Sequence, residues 1–255
     1  MSGSGYDMST TTYSPEGRIF QVEYASKAVM EASTCVGINC KDGVVIGIEK
    51  VLNSPFVIEG SDRHVHLVTD HIGAVVGGYT ADGRYFVEMT RKHATNFKTQ
   101  FGEEVPPKVL SQMMASFAHQ FTCYGSLRPL GISVLYAGYD IRSNQYQLYT
   151  VSTSGTAVKH FADSLGKGRQ ACKASIDKLN LTEKTCDEVL QWVTHMLCQL
   201  HVDSKKPYEI ELGVVSDSTD HKFVRVTPEK TAELVQWAKN KIAEEEQSSD
   251  SSDSE

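Results

Sequence analysis

Lys41-Asp42-Gly43-Val44-Val45-Ile46-Gly47-Ile48 holds a turn signal followed by an apolar run that never alternates. Asp-Gly suits the tight reversal of a hairpin, so the run after it is predicted to be a strand pairing with residues 35–38. A strand with one wet face would alternate apolar and polar side chains. This one is apolar at every position, so both of its faces must be covered.

Working outward, short apolar runs at residues 64–68 and 73–78 are predicted as further strands. Two helices follow. The first carries Phe86, Met89, His93 and Phe97 on its buried face. The second opens at Pro106-Pro107 and buries Leu110, Met113, Phe117, Phe121 and Tyr124. Strands return at 131–139, 145–152 and 156–161. A second helix pair is marked by Ala171, Ser175 and Leu179, then by Val189, Val193, Met196 and Leu200, with Thr182 as N-cap and Thr185 nearby. Strands at 208–215 and 222–226 precede a last helix from Thr227-Pro228 to about Glu246. Helices come in pairs between groups of strands, which is not the strict alternation of a doubly wound sheet. The predicted fold is α/β (α+β), a four-layer αββα sandwich in one domain over residues 1–246.

At the start of the chain, Ser14-Pro15-Glu16-Gly17 reads as a reverse turn. An amphipathic helix over residues 18–32 follows it, carrying Ile19, Val22, Ala25, Ala28 and Val29. Residues 1–13, rich in Ser, Thr and Gly, are expected to be flexible. Residues 247–255, Ser-rich and acidic, are expected to be a disordered tail.

The 255 residues carry a formal net charge of -7, which does not favour nucleic acid. No apolar run reaches the length of a membrane helix, and the first residues lack an apolar signal core. A cytoplasmic or nuclear protein is expected. The six cysteines form no C-x-x-C pair and are expected to be reduced, buried thiols. His64 and His66 share a strand face without further ligands at metal spacing, so a surface or interface role is expected, and no metal or cofactor.

Residues 5–25, GYDMSTTTYSPEGRIFQVEYA, resemble the N-terminal signature of 20S proteasome alpha subunits. The match covers Gly5, Tyr6, Asp7, Tyr13, Ser14, Pro15, Gly17, Arg18, Gln21, Val22, Glu23, Tyr24 and Ala25. KDGVVIGIEK at 41–50, SLRPLGISVL at 126–135 and LGKGRQACKASIDKL at 165–179 extend the likeness over residues 5–242. Gly5-Tyr6-Asp7 followed by Met8, TCYGSLRPLG and the acidic tail look most like the alpha type-3 lineage, the seventh position of its ring. Ser152 and Thr153 stand where the family usually has Asp and Pro, and Met8 where it commonly has Arg. The departures at 152 and 153 suit a divergent or specialised paralogue, while Met8 loses a charge partner for a neighbouring carboxylate.

The resemblance implies the αββα fold of N-terminal nucleophile hydrolases and a non-catalytic structural and gating role. Its implied partners are other alpha subunits in a seven-membered ring, beta-ring subunits, and activators or a regulatory particle. Tyr6, Asp7, Pro15 and Tyr24 would form the gate cluster. Gly17, Arg18, Glu23 and His64 would line an activator-docking pocket, His64 standing at the family's Lys. Ser252, followed by Asp253 and Glu255, suits an acidophilic kinase.

Catalytic beta-type relatives use an N-terminal Thr whose own amine serves as base. The corresponding position is Ser33-Thr34, where the nitrogen is an amide. The acid position holds Glu49, and no Lys lies at residues 63–65. A peptidase, or a small-molecule hydrolase of the same fold, lacks these parts. A binding module outside any ring is the remaining alternative, and the signature argues against it.

Overall fold

The computed structural model describes residues 5–252, apart from 53, 55, 59, 203 and 205. Two five-stranded antiparallel sheets lie face to face. One has the order β10-β9-β2-β1-β8, built from Phe223–Arg225, Tyr208–Ser216, Gly43–Val51, Cys35–Asn39 and Ala162–Leu165. The other has the order β3-β4-β5-β6-β7, built from Val65–Thr69, Ile72–Gly78, Ile132–Asp140, Gln145–Val151 and Ala157–His160.

β2 explains the layering. Its successive side chains point to opposite faces. Val44, Ile46 and Ile48 enter the core between the sheets, together with Val75, Leu135, Leu148 and Phe223. Val45 points the other way, into a core shared with helices α4 (Arg169–Leu179), α5 (Cys186–Gln199) and α6 (Pro228–Ser252). Helices α2 (Thr80–Phe101) and α3 (Pro107–Cys123) cover the outer face of the second sheet. The four-layer αββα order therefore stands as expected. Helix α1 (Phe20–Met30) lies outside these layers, over β4 and β5.

Several details differ from the sequence reading. On α3 Leu110 is buried as expected, but its buried neighbours are Ser111, Met114, Ala115 and Ala118 rather than Met113, Phe117, Phe121 and Tyr124. Small side chains let the helix settle on the sheet. Phe117 and Phe121 turn sideways onto Tyr85 and Phe86 of α2, with Phe86–Phe117 centroids 6.0 Å apart. Tyr124 leaves the helix and is exposed. On α4 the buried residues are Cys172 and Ile176, while Ala171 is exposed. The N-cap of α5 is Thr185, not Thr182, closed by a capping box with Glu188. Strand β8 occupies residues 162–165, where the sequence reading placed no strand, because Asp163 is disfavoured in strands. Asp163 is buried, accepts from Thr150 Oγ1 at 2.8 Å and pairs with Lys173 at 2.8 Å. Helix α6 runs on to Ser252. Residues 1–4 of the expected flexible segment and 253–255 of the tail lie outside the described residues. Five of the six cysteines are buried, but Cys123 is exposed on the last turn of α3.

One ion pair fastens α2 to the loop before β5. Arg128 grips Asp82 bidentately at 2.6 and 2.7 Å, and Gly131 N donates to the same carboxylate at 3.0 Å. Arg128, and with it the Gly131 amide, holds the Asp82 carboxyl below its usual range. A group with a depressed folded pKa adds stability above its unfolded value, near 4, and that stability is lost as pH falls through the folded value. Asp82→Asn should therefore cost about 1.5–3 kcal/mol at pH 7. The deficit should shrink when urea denaturation is repeated below pH 4. An equal deficit at both pH values would rule out the ion pair as its source.

Candidate functional site

The amino-terminal turn is closed from both sides. Gly17 N donates to Ser14 O at 2.8 Å and Ser14 N to Arg18 O at 2.9 Å. Ser14 Oγ accepts from Arg18 N at 3.2 Å. Gly17 sits at φ +74°, a conformation that side chains disfavour, which is why glycine follows Pro15-Glu16. Two anchors precede the turn. Thr10 is buried and donates to Tyr124 O at 3.2 Å, and Gln21 Nε2 donates to the Asp7 carbonyl. Met8 is among the most exposed large apolar residues.

Of the gate residues expected from sequence, Tyr6 and Tyr24 are exposed, and Pro15 lies at the surface of the turn. Tyr24 stacks on Phe20, centroids 6.3 Å apart. Among the described residues no hydrogen bond joins Tyr6, Asp7 and Tyr24 within the chain.

Of the expected docking residues, Arg18 and Glu23 meet in a two-pronged pair, with Arg18 Nε donating to Glu23 Oε1 at 2.7 Å. Hydrogen bonding to Arg18 holds the Glu23 carboxyl below its usual range. The guanidinium also lies over the Phe20 ring at 4.9 Å. Gly17 adjoins this pair. His64 stands apart from it, held by other groups. His64, expected to have a surface or interface role, is buried within the chain just before β3. Its Nδ1 lies 3.3 Å from Val76 O and its Nε2 3.3 Å from Asp62 Oδ2. The strand places it there because its amide is held by Glu211 Oε2 at 3.0 Å.

The position of a beta-type nucleophile is filled differently. Glu49 Oε1 accepts from the Thr34 amide at 2.9 Å, and its Oε2 lies 2.9 Å from His201 Nε2. Thr34 Oγ1 accepts from Gly168 N at 3.0 Å. The amide that would have to be a free amine is spent holding the strand end. Nearby, Lys50 is enclosed by Glu209 at 2.7 Å and Glu211 at 2.8 Å. Burial opposes the charge on Lys50, but the two carboxylates outweigh it and hold its pKa above the ordinary value. Sequence reading missed this triad, although Glu209 and Glu211 share one face of β9 by their spacing alone.

It also missed the part played by Thr153. This residue is buried in the β6–β7 turn and shares a hydrogen bond with Ser26 of α1 at 2.7 Å. The Thr noted as a departure from the family's Pro thus gives α1 a hydroxyl partner that Pro could not supply.

The proteasome subunit pattern matches residues 29–215, and the N-terminal signature of proteasome A subunits matches residues 6–28. The chain belongs to the proteasome subunit family. Within that family it is similar to proteasome subunit alpha type-3 of Dictyostelium discoideum, 42% identical over 243 residues, 94% of this chain and 96% of that one. The alpha type-3 subunit of Spinacia oleracea is 43% identical over 225 residues, 88% and 90% of the two chains. That of Oryza sativa subsp. japonica is 43% identical over 238 residues, 93% of each. The chain is thus a proteasome alpha-type subunit closely related to the alpha type-3 lineage, non-catalytic and distinct from the beta type. Its family identity as an alpha-ring subunit of the 20S core particle agrees with a structural and gating role.

Proposed function

We propose that this chain occupies the seventh position of a seven-membered outer alpha ring, in cytoplasm and nucleus, packed against other alpha subunits and a beta ring. In that place its N-terminal segment helps close the axial pore. Tyr6, Asp7, Pro15 and Tyr24 make the contacts with a neighbouring subunit that hold the pore open, and Gly17, Arg18, Glu23 and His64 line a pocket for activator tails. The observation that carries this reading is the doubly closed turn at residues 14–18, which carries an exposed segment already pinned at Thr10. A pinned turn fixes where the segment leaves the body and leaves its tip to neighbours.

Native particles isolated through a tag on this chain should sediment as very large assemblies that contain the other alpha types and the beta types. The same chain sedimenting alone, or turning over fluorogenic peptides in a manner lost on Ser33→Ala, would sink the reading.

His64 is the docking residue under most constraint, since Asp62 Oδ2 already lies 3.3 Å from its Nε2. An activator-tail peptide whose affinity for the particle is unchanged by His64→Ala would remove it from the pocket. Ser252 is proposed as a phosphate acceptor that adds about -1.5 to -2 charge to the tail. Phosphopeptide mass spectrometry of the native particle checks this, and an unmodified Ser252 after treatment with an acidophilic kinase would refute it.

A further inference from the structure

Both sheets end in an edge strand on the same flank, β3 in one and β10 in the other. A cleft runs along this flank, lined by Arg63, Arg84, Arg91 and Arg225 together with His66 and Leu67. All four arginines are exposed, in a chain whose net charge is -7. Arg84 and Arg91 stand seven residues apart on α2, which brings them to one face of the helix. Arg63 precedes β3, and Arg225 closes β10.

The backbone edge of β3 is already sealed. Arg91 donates from Nε and Nη2 to Leu67 O at 2.9 and 2.7 Å, and Glu211 accepts the Val65 amide at 2.9 Å. Side-chain caps of this kind prevent another strand from adding to the edge. A partner must therefore be recognised through the guanidinium groups. Only Arg84 has a carboxylate partner among the described residues, Asp62 at 3.0 Å. Arg63 donates to the Gly60 carbonyl at 3.3 Å, which leaves its charge unbalanced. The positive field is felt by His66, whose pKa is pushed down to about 4 by burial and by Arg91 beside it.

We propose that this cleft receives a carboxylate-rich segment of the neighbouring subunit in the ring. The inference rests on the ring placement proposed above. A closed ring of head-to-tail contacts requires each subunit to present two different flanks, and this flank carries an uncompensated charge. Planar guanidinium forks match carboxylates two bonds at a time. Leu67, exposed between them, offers an apolar contact of the kind a polypeptide side chain would cover.

The test uses assembled particles containing the full chain. Phenylglyoxal, which modifies exposed arginines, should label Arg63 and Arg225 at least tenfold more slowly in the particle than in the isolated chain. In particles carrying Arg225→Lys, a zero-length carbodiimide should couple the introduced amine to an Asp or Glu of one adjacent subunit. Equal labelling in particle and isolated chain overturns the proposal, as does protection without any coupling to a neighbour's carboxylate. Inorganic phosphate or a short oligonucleotide shielding the arginines of the intact particle would assign the cleft to a diffusible anion and overturn it too. A chain that never enters the particle instead refutes the ring placement itself, a result that sedimentation reports before any labelling is done.

Discussion

Replacing Phe223 with alanine should destabilise the chain by about 3–5 kcal/mol, the range for removing a buried aromatic side chain. The ring is 4% exposed and belongs to the core between the sheets. Two glycines from opposite sheets make the slot it fills. A Cβ on Gly73 of β4 would lie 2.1 Å from the ring, and one on Gly213 of β9 would lie 2.4 Å from it. The ring therefore wedges both sheets together beside their β3 and β10 edges. Gly73→Ala should also be damaging, at the upper end of the 1–3 kcal/mol typical of overpacking or beyond it, because the ring has no room to yield. In the double variant Gly73→Ala/Phe223→Ala the new methyl enters the space that the ring has left. The double variant should then cost less than the sum of the single ones, by about 0.5–3 kcal/mol of coupling. Urea denaturation followed by the fluorescence of Trp192 and Trp237 measures all three. Strict additivity would show that the glycines do not form the slot.

What could be read from sequence followed from strong periodicity. Residues 44–48 of β2 are apolar at every position, so two covered faces could be inferred before any packing was known, and the two sheets with their outer helices follow from that. The buried face of α3 was harder. Large aromatics dominate a sequence pattern, but a helix lying on a sheet prefers Ser111, Ala115 and Ala118 against the strands and sends Phe117 sideways. β8 was hidden because a buried Asp163 is stable only through Thr150 and Lys173, which are separated from it in the chain. The turn at residues 14–18 was legible because Pro and Gly fix φ locally. The setting of His64 was not. Its burial depends on Glu211, distant in sequence, taking the His64 amide, and on Asp62 and Val76 meeting its ring. The arginine cleft is of the same nature, since its four side chains come from β10, α2 and the approach to β3.

Deleting residues 1–9 from this chain in an assembled particle should raise basal hydrolysis of small peptides several-fold, while the catalytic subunits and their response to inhibitors stay unchanged. The cut falls before Thr10, whose buried hydroxyl bonds to Tyr124 O at 3.2 Å. The turn at residues 14–18 and the Arg18–Glu23 pair also stay in place, so the body of the subunit keeps its anchors. The deletion does remove Asp7, whose carbonyl accepts from Gln21 Nε2, but that bond is only part-buried and neither residue belongs to a core cluster. Assembly should therefore survive, and any gain in rate reports the pore and not the fold. The size of the effect is bounded as well. In the seven-membered ring proposed above, one segment among seven can widen a shared pore but not empty it, so a further increase on adding an activator should remain. Basal and activated rates both at their original values, in particles shown by mass spectrometry to carry the shortened chain, would mean that this segment takes no part in closing the pore. A loss of assembled particles would instead place residues 1–9 in the subunit interface.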